Sequence, residues 1–216
     1  MYTLYIGNKN FSSWSLRSWV LLRQAGIPFR EQMVSLYAPN RSERIRAVSP
    51  NARVPCLCDG DTLVWDTLAI AEYLAERHPG LWPAARAARA WARCAAAEMH
   101  SGFADLRNEL SMDLRVREKL QPGAAAATDI ARIDALWREG RSRFGGAGDF
   151  LCGGFGIVDA FWCPVAFRFQ SYGITLAGPS LAYQQALLAL PAMVEWGAAA
   201  AQEREGPDAE YQAQHQ

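Results

Sequence analysis

The chain has 216 residues, 50% apolar and 20% charged, and its 22 Lys plus Arg balance 22 Asp plus Glu. That length can bury one large core or two ordinary ones, and the zero net charge excludes the basic excess of a nucleic-acid binder. No apolar run approaches the roughly 20 residues that cross a bilayer, and no basic leader precedes an apolar block. Five cysteines, an odd set, fit free thiols in a reducing compartment, so a cytoplasmic protein without nucleic-acid or membrane partners is expected.

In chain order, YTLYI reads as a short strand and SLRSWVLLRQAG as a helix that Gly26 ends. After Ile27-Pro28, FREQMVSL alternates like a second strand. VPCLCDGDTLVW is a hairpin turning at Asp59-Gly60-Asp61. DTLAIAEYLAERHPG is an amphipathic helix with Asp66 or Thr67 as N-cap and Gly80 just past its end. From Leu81 the strand signals fade. PAARAARAWARCAAAEMHSGFADLRNEL predicts one long Ala-rich helix. TDIARIDALWREGRSRFG predicts another, with Ile130, Ile133, Leu136 and Trp137 along one face. GIVDAFWCPVAFRFQSYG is apolar almost all round and therefore buried, and SLAYQQALLALPAMVEWGAAAAQER gives one or two more helices, interrupted near Pro191. The expected organisation is an α/β domain over residues 1–80 and an all-helical one over 84–216. The polar tail is expected to fray from about residue 206.

Three short stretches bear on function. SSWSLR, from Ser12 to Arg17, sets hydroxyls between a strand and a helix start; they are N-caps or a hydroxyl pair at the helix's positive end. NARVPCL places Val54-Pro55 ahead of the hairpin, and WDTLAIAEYL opens a helix with Asp66-Thr67. Together they resemble the glutathione S-transferase superfamily. SSWSLR resembles the serine motif of zeta-class members, which include maleylacetoacetate isomerases. NARVPCL is similar to the segment carrying that family's cis-proline, and Asp66-Thr67 to its acidic-hydroxyl pair. EMHSGF and GIVDAFWCPVAFRF resemble a bacterial-type branch. The resemblance spans nearly the whole chain. It implies a thioredoxin-like α/β N-terminal domain followed by an all-α C-terminal bundle, glutathione as co-substrate, a small electrophile as second substrate, no metal, and a homodimer.

Residue by residue, the resemblance implies that Ser12, or Ser13 beside it, touches the glutathione thiol, while Ser15 caps the helix. A thiol of pKa near 8.5 needs about 1.4 kcal/mol of preference for its anion to drop one unit, within reach of one charge-assisted hydrogen bond and a helix dipole. The Val54-Pro55 backbone would pair with the cysteinyl part of glutathione like an added strand. Asp66 and Thr67 would take the γ-glutamyl group, and Arg53 the glycyl carboxylate. The second substrate would face Met99, His100, Phe103 and Arg107, read as one side of the long helix, with Arg168 opposite a substrate carboxylate; the spacing of Arg168 after Pro164 departs from the zeta-class pattern. These residues read equally as packing.

Two further readings remain. The Cys56 and Cys58 pair, on one strand face, reads as small buried hydrophobes; a thiol oxidoreductase would need Cys56 reactive. A non-catalytic binding module on the same fold is the other. Finally, Gly156 stands three residues before Asp159, where the family has Ser or Thr in a capping box. A Ser there is expected to raise the melting temperature.

Overall fold

The computed structural model describes residues 1–207. The first part is a sheet flanked by helices: β1 (Tyr2–Ile6), α1 (Ser13–Gln24), β2 (Phe29–Met33), α2 (Arg41–Arg46), β3 (Cys56–Asp59), β4 (Thr62–Val64) and α3 (Thr67–Arg77). Strand order is β2-β1-β3-β4. β1 runs parallel to β2, with Leu4 opposite Glu31, and antiparallel to β3, with Leu4 opposite Leu57. Alternation along β1 sends Tyr2, Leu4 and Ile6 into the core. Gly60, at φ +61°, makes the β3–β4 turn on the left-handed side where a Cβ is unwelcome. The charged α2 escaped the sequence reading because it buries Ile45 alone.

The second part is helical: α4 (Arg86–Ser101), α5 (Ala104–Glu109), α6 (Ala124–Phe144), α7 (Ile157–Ser171), α8 (Pro179–Leu188) and α9 (Pro191–Ala200). The single long helix expected from Pro83 to Leu110 is two. α4 stops at Gly102, and Phe103, at φ +58°, redirects the chain before α5. α6 begins a turn earlier than expected, and α8 and α9 part at Pro191 as expected. α7 is buried along nearly its whole length and packs on both α1 and α4, so sheet and bundle share one core. The tail expected to fray lies, from residue 208 on, outside the described residues. None of the described helices is long and apolar enough to cross a membrane.

Gly156 is the N-cap of α7, and Asp159 Oδ2 accepts from its N–H at 2.9 Å. The carboxylate half of the capping box is therefore present. The expected gain from a Ser is not: a Cβ at Gly156 would stand 2.7 Å from the carbonyl oxygen of Leu81, which also accepts from Ile157 N–H at 3.0 Å. Glycine is there for a close backbone approach.

Candidate functional site

A cavity of about 450 Å³ opens where β1 hands over to α1. Phe11, Ser12, Ser13 and Trp14 line it from one side, Arg53, Val54 and Pro55 from another, and Asp66 from a third. The Val54-Pro55 bond is cis. These segments are far apart in sequence, and the sheet order brings them to one end: the loops after β1, before β3 and after β4 all emerge there.

Ser12 is the N-cap of α1, its Oγ accepting from Ser15 N–H at 3.4 Å and donating to Ser15 Oγ at 2.6 Å. Ser15 Oγ in turn accepts from Gly7 N–H at 3.0 Å, tying helix start to strand end. The capping expected of Ser15 therefore falls to Ser12. Ser13 is as buried as Ser12, and its Oγ accepts from Arg168 Nη2 at 3.2 Å across the two parts of the chain. Asp66, exposed, caps α3 by accepting from Leu68 N–H at 3.3 Å. Thr67 is buried, and its hydroxyl meets His100 Nδ1 at 3.4 Å, while Asp66 Oδ2 stands 3.4 Å from His100 Nε2. Burial lowers the His100 pKa, and Arg17 and Arg107 push the same way against the opposing pull of Asp66, so neutral imidazole is favoured.

Of the residues expected to face a second substrate, His100 and Arg107 stand beside Trp14: the His100 ring is edge-on at 5.1 Å and the Arg107 guanidinium 5.6 Å from the indole. Two of the expected residues do not line this site: Met99, on α4, is fully buried in the core, and Phe103, redirected by the break at Gly102, packs on Trp162. Arg168 is 4% exposed and anchors Nη1 on the carbonyls of Arg107 and Leu110, which closes it to direct contact with a bulky ligand.

Arg17 was missed as a site residue, although it closes the serine stretch. It is 1% exposed and sandwiched between Trp14, 4.3 Å away, and Phe161, 5.2 Å away. Among the described residues, its Nε and Nη1 have no hydrogen-bond partner. Burial, with the nearby Arg107 and Arg168, brings its pKa down to about 9, which still leaves it charged at neutral pH. Three guanidiniums thus gather behind Trp14, with Asp66 the carboxylate whose charge opposes them at Arg17. Such a group attracts anions.

A larger cavity of about 550 Å³ lies between the end of α3, the Gly80–Ala84 linker and the loop before α7. Its arginines already have protein partners, Arg93 on Glu72 and Arg89 on the carbonyls of Pro83 and Ala84, so the serine cavity is the better candidate. Cys56 is buried and free, and burial raises its pKa, the reverse of a reactive thiol. No group of ligands for a metal ion occurs among the described residues.

A four-stranded mixed sheet with a cis-proline loop, followed by a helical bundle packed on its first helix, defines the thioredoxin-like class with an appended all-helical part. Residues 11–77 match the family model of the glutathione S-transferase N-terminal domain, and the whole chain has the glutathione S-transferase fold. A glutathione transferase homolog from Burkholderia gl BGR1, solved with bound glutathione, is similar at 24% identity and a TM-score of 0.70, over 94% of this chain and 99% of that one. A maleyl pyruvate isomerase, a bacterial zeta-class glutathione S-transferase in its holo form, is similar at 22% identity and a TM-score of 0.71, over 94% and 100%. A stringent starvation protein A homolog from Haemophilus ducreyi is 22% identical over 162 residues, 74% of this chain and 71% of that protein.

Proposed function

We propose that the protein is a glutathione transferase that binds glutathione in the serine cavity and holds its thiol as the thiolate at the Ser12–Ser13 pair, for attack on an electrophile. The observation that carries this is convergence: both hydroxyls, the cis Val54-Pro55 segment and Asp66 line one cavity of about 450 Å³. The Val54 backbone would pair with the cysteinyl unit as an added strand. Asp66 would meet the γ-glutamyl ammonium; Thr67, turned toward His100, would offer its N–H at the positive end of α3. Arg53, exposed on the rim, would meet the glycyl carboxylate. Helix dipole and hydroxyl both favour the thiolate, and fixed placement beside the electrophile supplies the rest of the acceleration.

A second reading is supported by the three arginines behind Trp14, which favour a negatively charged second substrate. In it the thiolate adds to the conjugated double bond of a maleylacetoacetate-type acid, the resulting single bond rotates, and elimination restores the trans double bond and glutathione. Arg107, half-exposed at the Trp14 face, is the guanidinium placed to meet such an anion. The electrophile in either reading is a small molecule. A homodimer in a cytoplasmic setting completes the proposal, with Leu63 and Trp65, 39% and 42% exposed, giving β4 and its end an apolar face.

Calorimetric titration with glutathione, followed by turnover of an aryl halide and of a cis-unsaturated dicarboxylic acid, tests the proposal. Binding with conjugate formation supports the transferase; binding with isomerisation and unchanged total glutathione supports the second reading. Binding without turnover of either class would leave a glutathione-binding module, and no binding would sink the reading altogether.

A further inference from the structure

Carboxylates on α3 and guanidiniums on α4 meet in two steps, of which only one is closed. Glu72 and Glu76 lie four residues apart on α3, and Arg89 and Arg93 four apart on α4, so each pair shares one face of its helix. Arg93 closes the first step, with Nε and Nη2 donating to the Glu72 carboxylate at 3.3 and 3.4 Å. The second is open. Glu76, exposed, has no hydrogen-bond or ion-pair partner among the described residues. Arg89 turns Nη1 back onto the carbonyls of Pro83 and Ala84 at 3.1 and 2.8 Å, which leaves its charge without a carboxylate and its Nε and Nη2 without a partner among the same residues. The cavity of about 550 Å³ lies at this opening, lined by all four side chains.

The rest of the wall is apolar and held in place. Trp82, in the linker, is 8% exposed, and the Arg93 guanidinium lies 5.6 Å from its ring. Phe155, in the loop before α7, is half-buried and stands edge-on to Phe150 at 5.6 Å. The linker is tied to α7 where Leu81 carbonyl accepts from Ile157 N–H at 3.0 Å, so the wall is set before any ligand arrives. One open carboxylate, one open guanidinium and two aromatic rings surround a single space. They match a molecule with an ammonium at one point, a carboxylate at another and a flat apolar body. A ligand with a carboxylate alone meets repulsion from Glu76, and one with an amine alone meets it from Arg89, so the pair selects for both charges together.

We propose that this cavity is a second ligand site, which binds a zwitterionic α-amino acid with an aromatic side chain: Arg89 takes the carboxylate, Glu76 the ammonium, and Trp82 and Phe155 the ring. The site shares no lining residue with the serine cavity and does not depend on the glutathione reading. Its ligand bridges the end of α3 and the start of α4, the two helices on either side of the linker between sheet and bundle.

The experiment titrates L-phenylalanine into the full chain by calorimetry, beside phenethylamine, which lacks the carboxylate, and phenylpropionate, which lacks the ammonium. Phenylalanine is expected to bind once per chain, and each analogue about tenfold more weakly, the loss of one charge-assisted contact. Glu76→Gln is expected to weaken phenylalanine by about tenfold and to abolish its advantage over phenylpropionate; Arg89→Gln is expected to do the same against phenethylamine. Glutathione, titrated into either variant, is expected to bind as it does to the native protein. If Arg89→Gln does not fold, Glu76→Gln with the two analogues decides. No binding of phenylalanine, or phenylpropionate binding the native protein as tightly, would overturn the proposal. So would displacement of phenylalanine by glutathione, which would put the amino acid in the serine cavity. A change of oligomeric state in the variants, seen by sedimentation with phenylalanine affinity unchanged, would assign the two charges to a contact between copies and overturn it as well.

Discussion

Gly156 lies where the linker after α3 passes against the start of α7, and Leu81 carbonyl oxygen fills the place of its missing side chain. Any Cβ there would have to move backbone, since 2.7 Å is far inside van der Waals contact and the neighbour is a carbonyl, not a flexible side chain. Gly156→Ser is therefore expected to lower the melting temperature, by several degrees for a loss of about 1–3 kcal/mol; a rise would show that the linker gives way. Asp159, three residues on, is wholly buried, with Oδ1 accepting from Leu151 N–H and Tyr183 O–H and Oδ2 from Gly156 N–H. Burial nevertheless pushes its pKa up to about 6, against an ordinary 3.8. Cys152, Cys163 and Tyr183, which face it, are themselves pushed up, first by burial. A carboxyl whose pKa is raised on folding adds stability fully below its unfolded pKa and loses that contribution as pH rises through the folded value. The stability advantage of the native protein over Asp159→Asn should accordingly shrink by about 3 kcal/mol between pH 4 and pH 7, in denaturant titrations at each pH. An advantage that grows with pH would mean the hydrogen bonds outweigh burial.

At the scale of elements, the sequence was readable where one residue type answers to one physical demand. Alternation placed β1, glycine at φ +61° placed the β3–β4 turn, and the apolar run of Ile157–Ser171 placed the buried helix. It misled where a demand was met against type. Nothing about Phe103 announces a left-handed backbone, so an Ala-rich stretch that reads as one helix is α4 and α5, and the side that Met99, Phe103 and Arg107 were to share does not exist. The candidate site divides in the same way. Ser12, Ser13, Val54, Pro55 and Asp66 were legible because short motifs carry them, and the fold gathers them on one cavity. The partner of each was not. That Ser12 turns to Ser15, Ser13 to Arg168 and Thr67 to His100 depends on how α1, α3, α4 and α7 pack, which no local spacing encodes.

At the scale of the whole molecule, the site depends on the far end of the chain. The loop from Gly7 to Phe11 hands β1 over to Ser12, and Asn8 carbonyl accepts from Ser12 N–H at 2.8 Å. That loop has no sheet or helix of its own to hold it. The chain after α9 does so instead: Glu203 Oε1 accepts from Lys9 N–H at 2.6 Å, and Oε2 from Asn10 N–H at 3.0 Å and Asn10 Nδ2 at 3.2 Å. Trp196, on α9, donates to the Lys9 carbonyl at 3.0 Å, and Lys9 Nζ sits 5.2 Å from both the Trp19 and Trp196 rings while paired with Glu31 of β2 at 2.6 Å. One carboxylate thus satisfies two backbone N–H groups that would otherwise be left without a partner, a loss of about 1–3 kcal/mol each when the acceptor is removed. Glu203→Ala should therefore lower the melting temperature and, by releasing the loop that sets Ser12 and Ser13, weaken glutathione binding several-fold. Glu203→Gln, which keeps one acceptor oxygen, should fall between. Thermal melts and calorimetry on the same samples separate the two consequences: a fall in melting temperature with glutathione affinity untouched would mean that Glu203 supports the fold but not the geometry of the serine pair.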